Sequence, residues 1–267
     1  MLDLLLLNTR VHLKFFARNR LILGLAILVL VVSSLGLLPA IFMSTISGKF
    51  DVLRMIVGYL TSVTVFVTSS LGLFAVASHL RGRSLRVVLT KPCPPEVWLG
   101  SVFLAGACVI VALHGLVAGI VGVLSLAWSV PYQTGFAFIA LDGLCRALVW
   151  FSYVTALSVA LHPVVAALLA LFIHESTFFG LKFLLASATK AKGWSWLTAI
   201  AGGIVDAIYM VLPMTEPYSQ KTETVYSSLR TVGRDWPVLL QVVGYTAVAV
   251  AFFYCLSVVL LRRRSLA

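Results

Sequence analysis

Six long apolar runs, about 21–43, 56–80, 99–127, 135–160, 164–187 and 238–261, constrain this chain more than any other feature. Each is long enough to cross roughly 30 Å of hydrocarbon as a helix rising about 1.5 Å per residue. In hydrocarbon every backbone N–H and C=O needs a partner within the segment or within a closed barrel. No run shows the alternating pattern of about ten residues that marks a membrane β-strand. The pattern therefore predicts an all-α polytopic membrane protein with six transmembrane helices, forming one transmembrane domain over 1–267. Composition agrees, with 61% hydrophobic and 11% charged residues. A soluble domain is about half apolar and a quarter charged. Six spans and their connections leave no room for a soluble catalytic domain of about 100–200 residues.

Orientation follows from the basic residues, because cytoplasmic span ends collect Lys and Arg. Twenty Lys and Arg against nine Asp and Glu give a net charge of +11. In a soluble chain that excess would point to nucleic acid. Here the cations sit beside apolar runs, so nucleic acid is not an expected partner. Arg10, Lys14, Arg18 and Arg20, then Arg81, Arg83, Arg86 and Lys91, then Arg262, Arg263 and Arg264 fall on one side, with the turn Leu161–Pro163. The other side receives Lys49, Arg54, a charge-free turn near Ser129–Thr134 and the long segment 188–237. Both termini are expected in the cytoplasm. The first run is too long for a secretion-signal core and has no convincing small-x-small cleavage site, so it is expected as an uncleaved span. Within 188–237, the apolar stretch 196–213 carries Asp206. A seventh span there would place the terminal Arg triplet outside. The stretch is expected instead as an outer re-entrant or interfacial helix before the last span, with Trp194, Trp196 and Tyr209 suited to the interface. In residues 1–19, Leu4–Leu7, Val11, Leu13, Phe15 and Phe16 interleave with Arg10, His12, Lys14 and Arg18. That pattern predicts an amphipathic N-terminal helix on the cytoplasmic surface, basic toward lipid phosphates.

Several chemistries lack their residues. There is no GxxxxGK[ST] phosphate loop, since Gly48-Lys49-Phe50 lacks the upstream glycine and the following Ser or Thr. There is no HExxH pair, no GxSxG elbow and no pair of Asp-rich motifs for magnesium and a lipid diphosphate. Cys93, Cys108, Cys145 and Cys255 show no CxxC spacing, and no metal site or catalytic residue is expected. Ionisable groups at membrane depth are costly unless paired or hydrated, which makes each a functional candidate. Asp142 and Arg146 share a face of the fourth span at i, i+4. His174 and Glu175 are adjacent in the fifth. Arg146 lies roughly 16 Å in from the outer end of its span and Glu175 roughly 18 Å in from the cytoplasmic end of its own, both near the midplane. The tight turn at His162-Pro163 makes the two spans antiparallel neighbours. Asp142, Arg146, Glu175 and His174 are expected as one buried polar cluster. It serves either as a neutralised packing cluster that fixes register or as the polar lining of a translocation path.

The segment Arg81-Gly-Arg-Ser-Leu-Arg-Val-Val-Leu-Thr-Lys-Pro-Cys-Pro-Pro-Glu-Val-Trp-Leu-Gly100 is the longest polar stretch between cytoplasmic span ends. It resembles the loop between spans two and three of ABC-2 type exporter permeases. In that family a stretch reading like "R…LLSKP(V/I)SR…(Y/F)LLGK" carries the helix that docks on the ATPase. Leu89-Thr90-Lys91-Pro92 matches "LSKP" and Leu99-Gly100 matches "LG", whereas Cys93–Pro95 and Ser101 depart from the pattern. The basic amphipathic N-terminus, the small-residue turn Thr155-Ala-Leu-Ser-Val-Ala-Leu-His-Pro-Val-Val-Ala-Ala-Leu and the terminal Leu-Leu-Arg-Arg-Arg are also similar to the family.

The resemblance implies a permease subunit of an ABC exporter in a bacterial or archaeal inner membrane, not itself an enzyme. It implies separate ATPase subunits that hold ATP and magnesium, with no cofactor in this chain. A second permease copy or a homologous permease would complete the pore, in contact with membrane lipids. Residues 81–98 become the coupling loop, with Arg83, Arg86, Lys91, Pro92 and Glu96 as its docking residues, and 188–237 the outer gate. Two other classes remain open on the residues alone. One is a membrane-embedded enzyme or cofactor subunit using His114, His174, Glu175 and Asp142. The other is an ion-coupled secondary transporter with Asp142 or Glu175 carrying protons.

Overall fold

Helices alone make up the regular structure among the described residues of the computed structural model, namely 2–18, 46–81, 94–130, 134–172, 199–205 and 236–266, with Gly24, Ile27, Val31, Leu184 and Ala207 as isolated positions. They are α1 (Leu2–Ala17), α2 (Ile46–Arg81), α3 (Pro95–Ala127), α4 (Thr134–Ala160), α5 (Pro163–Phe172) and α6 (Trp236–Leu266). Four contain stretches long and apolar enough to cross a membrane: Gly48–Val76, Pro95–Ala127, Phe138–Ala160 and Leu239–Arg263. These coincide with the second, third, fourth and last of the expected spans. Of the expected fifth span, α5 and the isolated helical position Leu184 are described. The first span, apart from its isolated helical positions, and most of 196–213 lie outside the described residues, although 199–205 are helical.

The helix ends have local causes. Pro94 is held extended (ψ 138°) by the proline that follows it, and Pro95 occupies the first helical position of α3, where its missing N–H costs nothing. The Pro94 carbonyl then accepts from the N–H groups of Val97 and Trp98. At the other end of α3, Ser129 takes φ 55°. Val130 N–H donates to Ser125 O at 3.0 Å and Ser129 N–H to Leu126 O at 3.2 Å. These two bonds satisfy the last carbonyls in the pattern that normally has glycine at the left-handed position. Ser129 bears the steric cost of a Cβ there, so Ser129→Gly is expected to stabilise the fold by about 0.5–1 kcal/mol, read as a raised unfolding midpoint in detergent. Helix α4 ends at Ala160. Pro163 then restarts the chain as α5, with the His162 carbonyl accepting from Ala166 N–H at 2.9 Å and Val164 N–H facing His162 Nδ1 at 3.4 Å. The tight α4–α5 turn at His162-Pro163 is as the sequence predicts.

Helix α2 begins ten residues before the expected 56, at Ile46. Its early polar residues Lys49, Asp51 and Arg54 are carried on a helix that buries Val52, Leu53, Ile56, Val57 and Leu60 against Leu113, Val117 and Val121 of α3 and Phe136 of α4. Helix α4 is the hub, packing against α2, α3, α5 and α6. Toward the end of the bundle where α1 packs, Trp150, Phe151 and Val159 of α4 meet Leu71 and Val76 of α2, Trp98 and Val102 of α3, and Leu261 of α6. Glycines permit two close approaches. A Cβ at Gly106 would run into the ring of Phe151. One at Gly72 would stand 2.7 Å from Thr155 Oγ1 and 2.8 Å from the Phe151 carbonyl. Ala156 is buried against Ala249 and Phe253 of α6, where its small side chain serves helix packing. Gly115, Gly119 and Gly122 have no described atom within 4 Å of where a Cβ would sit.

Candidate functional site

Buried hydroxyls in these spans mostly satisfy themselves. Thr64, Thr68, Ser152, Thr155 and Ser158 each donate to a carbonyl of their own helix three or four residues earlier. A hydroxyl closed on its own backbone can sit in an apolar environment at little cost. Thr61 breaks the rule. Its Oγ1 is buried with no hydrogen-bond partner among the described residues.

Thr61 faces His114 of α3 across Gly143 of α4. A Cβ at Gly143 would run into Thr61 Cγ2 and stand 3.3 Å from His114 Nε2. His114 is 2% exposed. Its Nδ1 lies 2.9 Å from the Ile110 carbonyl. A carbonyl only accepts, so Nδ1 carries the proton. Nε2 is buried against the backbone of Gly143, with no partner of good hydrogen-bond geometry among the described residues. One turn along α4 from Gly143, Arg146 approaches Asp142 with Nη2 to Oδ2 at 3.4 Å, the side chains 29% and 15% exposed. The Arg146 Nε is buried and without a partner among the described residues. Thr61 lies about 13 residues from the Gly48 end of its apolar helix and His114 about 13 from the Ala127 end of its own, roughly 20 Å at the helical rise, which places this crossing deep in the apolar layer. Two polar features thus lie within these apolar helices, the Thr61–His114 crossing at Gly143 and the Asp142–Arg146 pair on α4, each with a buried polar atom unpaired among the described residues.

Of the expected polar cluster, Asp142 and Arg146 pair as their spacing predicts, whereas His174 and Glu175 lie outside the described residues. In the sequence His114 is a candidate only for a membrane-embedded enzyme or cofactor subunit, and Thr61 and Gly143 carry no signal except as polar or small residues within apolar runs. Among the described residues no three His, Cys, Asp or Glu side chains gather into a group that could hold a metal ion.

A second constellation sits where the expected coupling loop rejoins the membrane. Glu96, in the first turn of α3, is held from α6: Arg262 donates to its carboxylate through Nε at 2.6 Å and through Nη2, and Tyr254 Oη donates to its carbonyl at 3.0 Å. The Tyr254 ring meets Phe103 edge-on, with centroids 5.4 Å apart. From the other side α1 closes on the same turn. His12 meets Trp98 edge-on at 5.8 Å, Leu5 Cδ1 lies 3.3 Å from where a Gly100 Cβ would be, and Phe16 is fully buried among Trp98, Leu99 and Leu261. The ion pair is partly exposed and contributes at most about 1 kcal/mol. The aromatic packing and the buried face of α1 hold the junction. Arg83, Arg86, Lys91 and Pro92 lie outside the described residues. No family model matches the chain, and no curated protein matches it.

Proposed function

We propose that this chain is the membrane subunit of an ABC exporter, powered by ATP that separate ATPase subunits hydrolyse. The reading is carried by the segment 81–100, whose Leu89-Thr-Lys-Pro92 and Leu99-Gly100 resemble the ATPase-docking loop of ABC-2 type permeases. What supports it physically is the arrangement at the end of that segment. A loop that receives force has to pass it to the spans, and Glu96 is tied to the last span while Trp98 is packed on α1.

In this reading six spans cross a bacterial or archaeal inner membrane with both termini in the cytoplasm. The N-terminal helix lies on the cytoplasmic surface, and an outer interfacial helix within 188–237 forms part of a gate. Two such subunits, identical or homologous, stand above two ATPases. ATP binding closes the ATPases, pushes on Arg83–Trp98 and on α1, and rocks the spans between two packings. The buried polar residues Thr61, His114, Asp142 and Arg146 then belong to the path that a polar part of the cargo follows.

Purification of the tagged full-length chain from its native host in mild detergent tests the proposal. The expected result is a stoichiometric partner chain bearing a GxxxxGK[ST] phosphate loop, together with ATPase activity that the permease alone lacks. Deleting that partner should abolish transport. Transport that persists without any ATPase would refute the coupled mechanism.

A further inference from the structure

Helix α1 has three faces where its sequence pattern predicts two. Thr9, His12 and Phe16 are buried, with His12 and Phe16 against α3. Leu4, Leu7, Val11 and Phe15, spaced by three, four and four, form an exposed apolar row; Leu7 is 64% and Val11 58% exposed. Arg10, Lys14 and Arg18, spaced by four, form an exposed basic row. At 100° per residue the apolar and basic rows lie side by side, on the side of α1 turned away from α3.

The level of the helix is set by what it touches. Phe16 packs on Leu261, and the next residues of α6, Arg262 and Arg263, are exposed. Helix α1 therefore sits where the last span changes from apolar to basic, at the height of the lipid headgroups. An exposed row of large aliphatic and aromatic side chains outside the spans is costly in water and favourable at the acyl boundary. The adjoining row of cations matches the phosphates of an anionic leaflet.

We infer that α1 is a binding surface for anionic phospholipid, which takes Leu4, Leu7, Val11 and Phe15 at its acyl boundary and pairs Arg10, Lys14 and Arg18 with its headgroup phosphates. Bound lipid locks α1 onto the Trp98–Leu261 junction, so the charge of the leaflet sets how firmly that junction is closed. The inference needs only that the spans cross a bilayer and is independent of what the protein moves.

Hydrogen exchange of the full-length protein in nanodiscs tests it, read on the amides of residues 2–18. The discs are POPC alone or POPC with about 30% POPG, a fraction that gives the anionic surface such cations respond to. POPG is expected to slow exchange of α1 at least about fivefold, the size of one cation's interaction with an anionic leaflet, while amides of α4 are unchanged. The slowing should fade in high salt, which screens exposed charges. It should be lost in R10Q/K14Q and kept in R10K/K14R. Should R10Q/K14Q disturb the α4 amides, the POPG and salt responses of the wild type and of R10K/K14R decide. Three results would overturn the proposal: equal exchange in both discs, full slowing in a well-folded R10Q/K14Q, or the same slowing in POPC discs with added inorganic phosphate, which would assign the cations to free anions.

Discussion

Gly106→Ala is expected to destabilise the folded protein by about 3 kcal/mol, at the upper end of what overpacking a core costs. The added methyl would run into the end of the Phe151 ring. That ring is 1% exposed and meets Phe103 edge-on with centroids 5.9 Å apart. Phe151 is on α4, the helix that touches α2, α3, α5 and α6, so it has no free direction in which to retreat. Relief requires α3 and α4 to separate, which loosens the contacts around Trp98 and Trp150 as well. The measurement is the unfolding midpoint in detergent. G106A/F151L, which shortens the obstructing side chain, should regain part of the loss. Gly115→Ala serves as the contrast within the same helix. No described atom lies within 4 Å of its Cβ position, and replacing glycine by alanine in a helix interior gains about 0.5–1 kcal/mol. A wild-type midpoint for Gly106→Ala would mean that α3 and α4 do not approach as described.

The hydropathy pattern carries the helical class because the bilayer allows few alternatives, and α3, α4 and α6 coincide closely with apolar runs. It places the start of α2 too late because it weighs mean apolarity. Over residues 46–60 the relevant quantity is period: Val52, Leu53, Ile56, Val57 and Leu60 recur at helical spacing among Lys49, Asp51 and Arg54, and it is this face that the fold buries. The Asp142–Arg146 pair is legible because both residues are on one helix at i, i+4. The Thr61–His114–Gly143 crossing is not, since it exists only once three helices adopt particular rotations, and rotation is fixed by interhelix packing that no single segment encodes. The same holds for Glu96. Its carboxylate reads as a loop residue in sequence, and its partners Tyr254 and Arg262 are more than 150 positions away. Helix α1 shows the limit of a two-faced reading. The alternation of leucines and cations announces amphipathicity, but not that the polar residues Thr9 and His12 belong to the protein-facing side.

Arg146→Leu is expected to cost about 3 kcal/mol, and the reason is the charge left behind more than the bond removed. The Arg146–Asp142 contact is long at 3.4 Å, a geometry that returns little on its own. Asp142 is nevertheless 15% exposed within an apolar span. Without the guanidinium beside it, its carboxylate stays ionised at a high desolvation cost or takes up a proton at a cost of its own. The double variant D142N/R146L removes both charges and should recover most of the loss. The four midpoints then form a cycle whose coupling energy is about 1–3 kcal/mol. An additive cycle would show that the two residues do not act as a pair. The double variant also separates the two roles open to the cluster. If Asp142 and Arg146 only fix the register of α4, a D142N/R146L protein that folds like the wild type should also transport like it. If they line the path of a polar cargo in the proposed exporter, the same well-folded protein should lose the ATP-dependent transport that the proposal assigns to it while keeping whatever ATPase copurifies with the wild type. Wild-type transport by Arg146→Leu at normal expression would remove the residue from the path altogether.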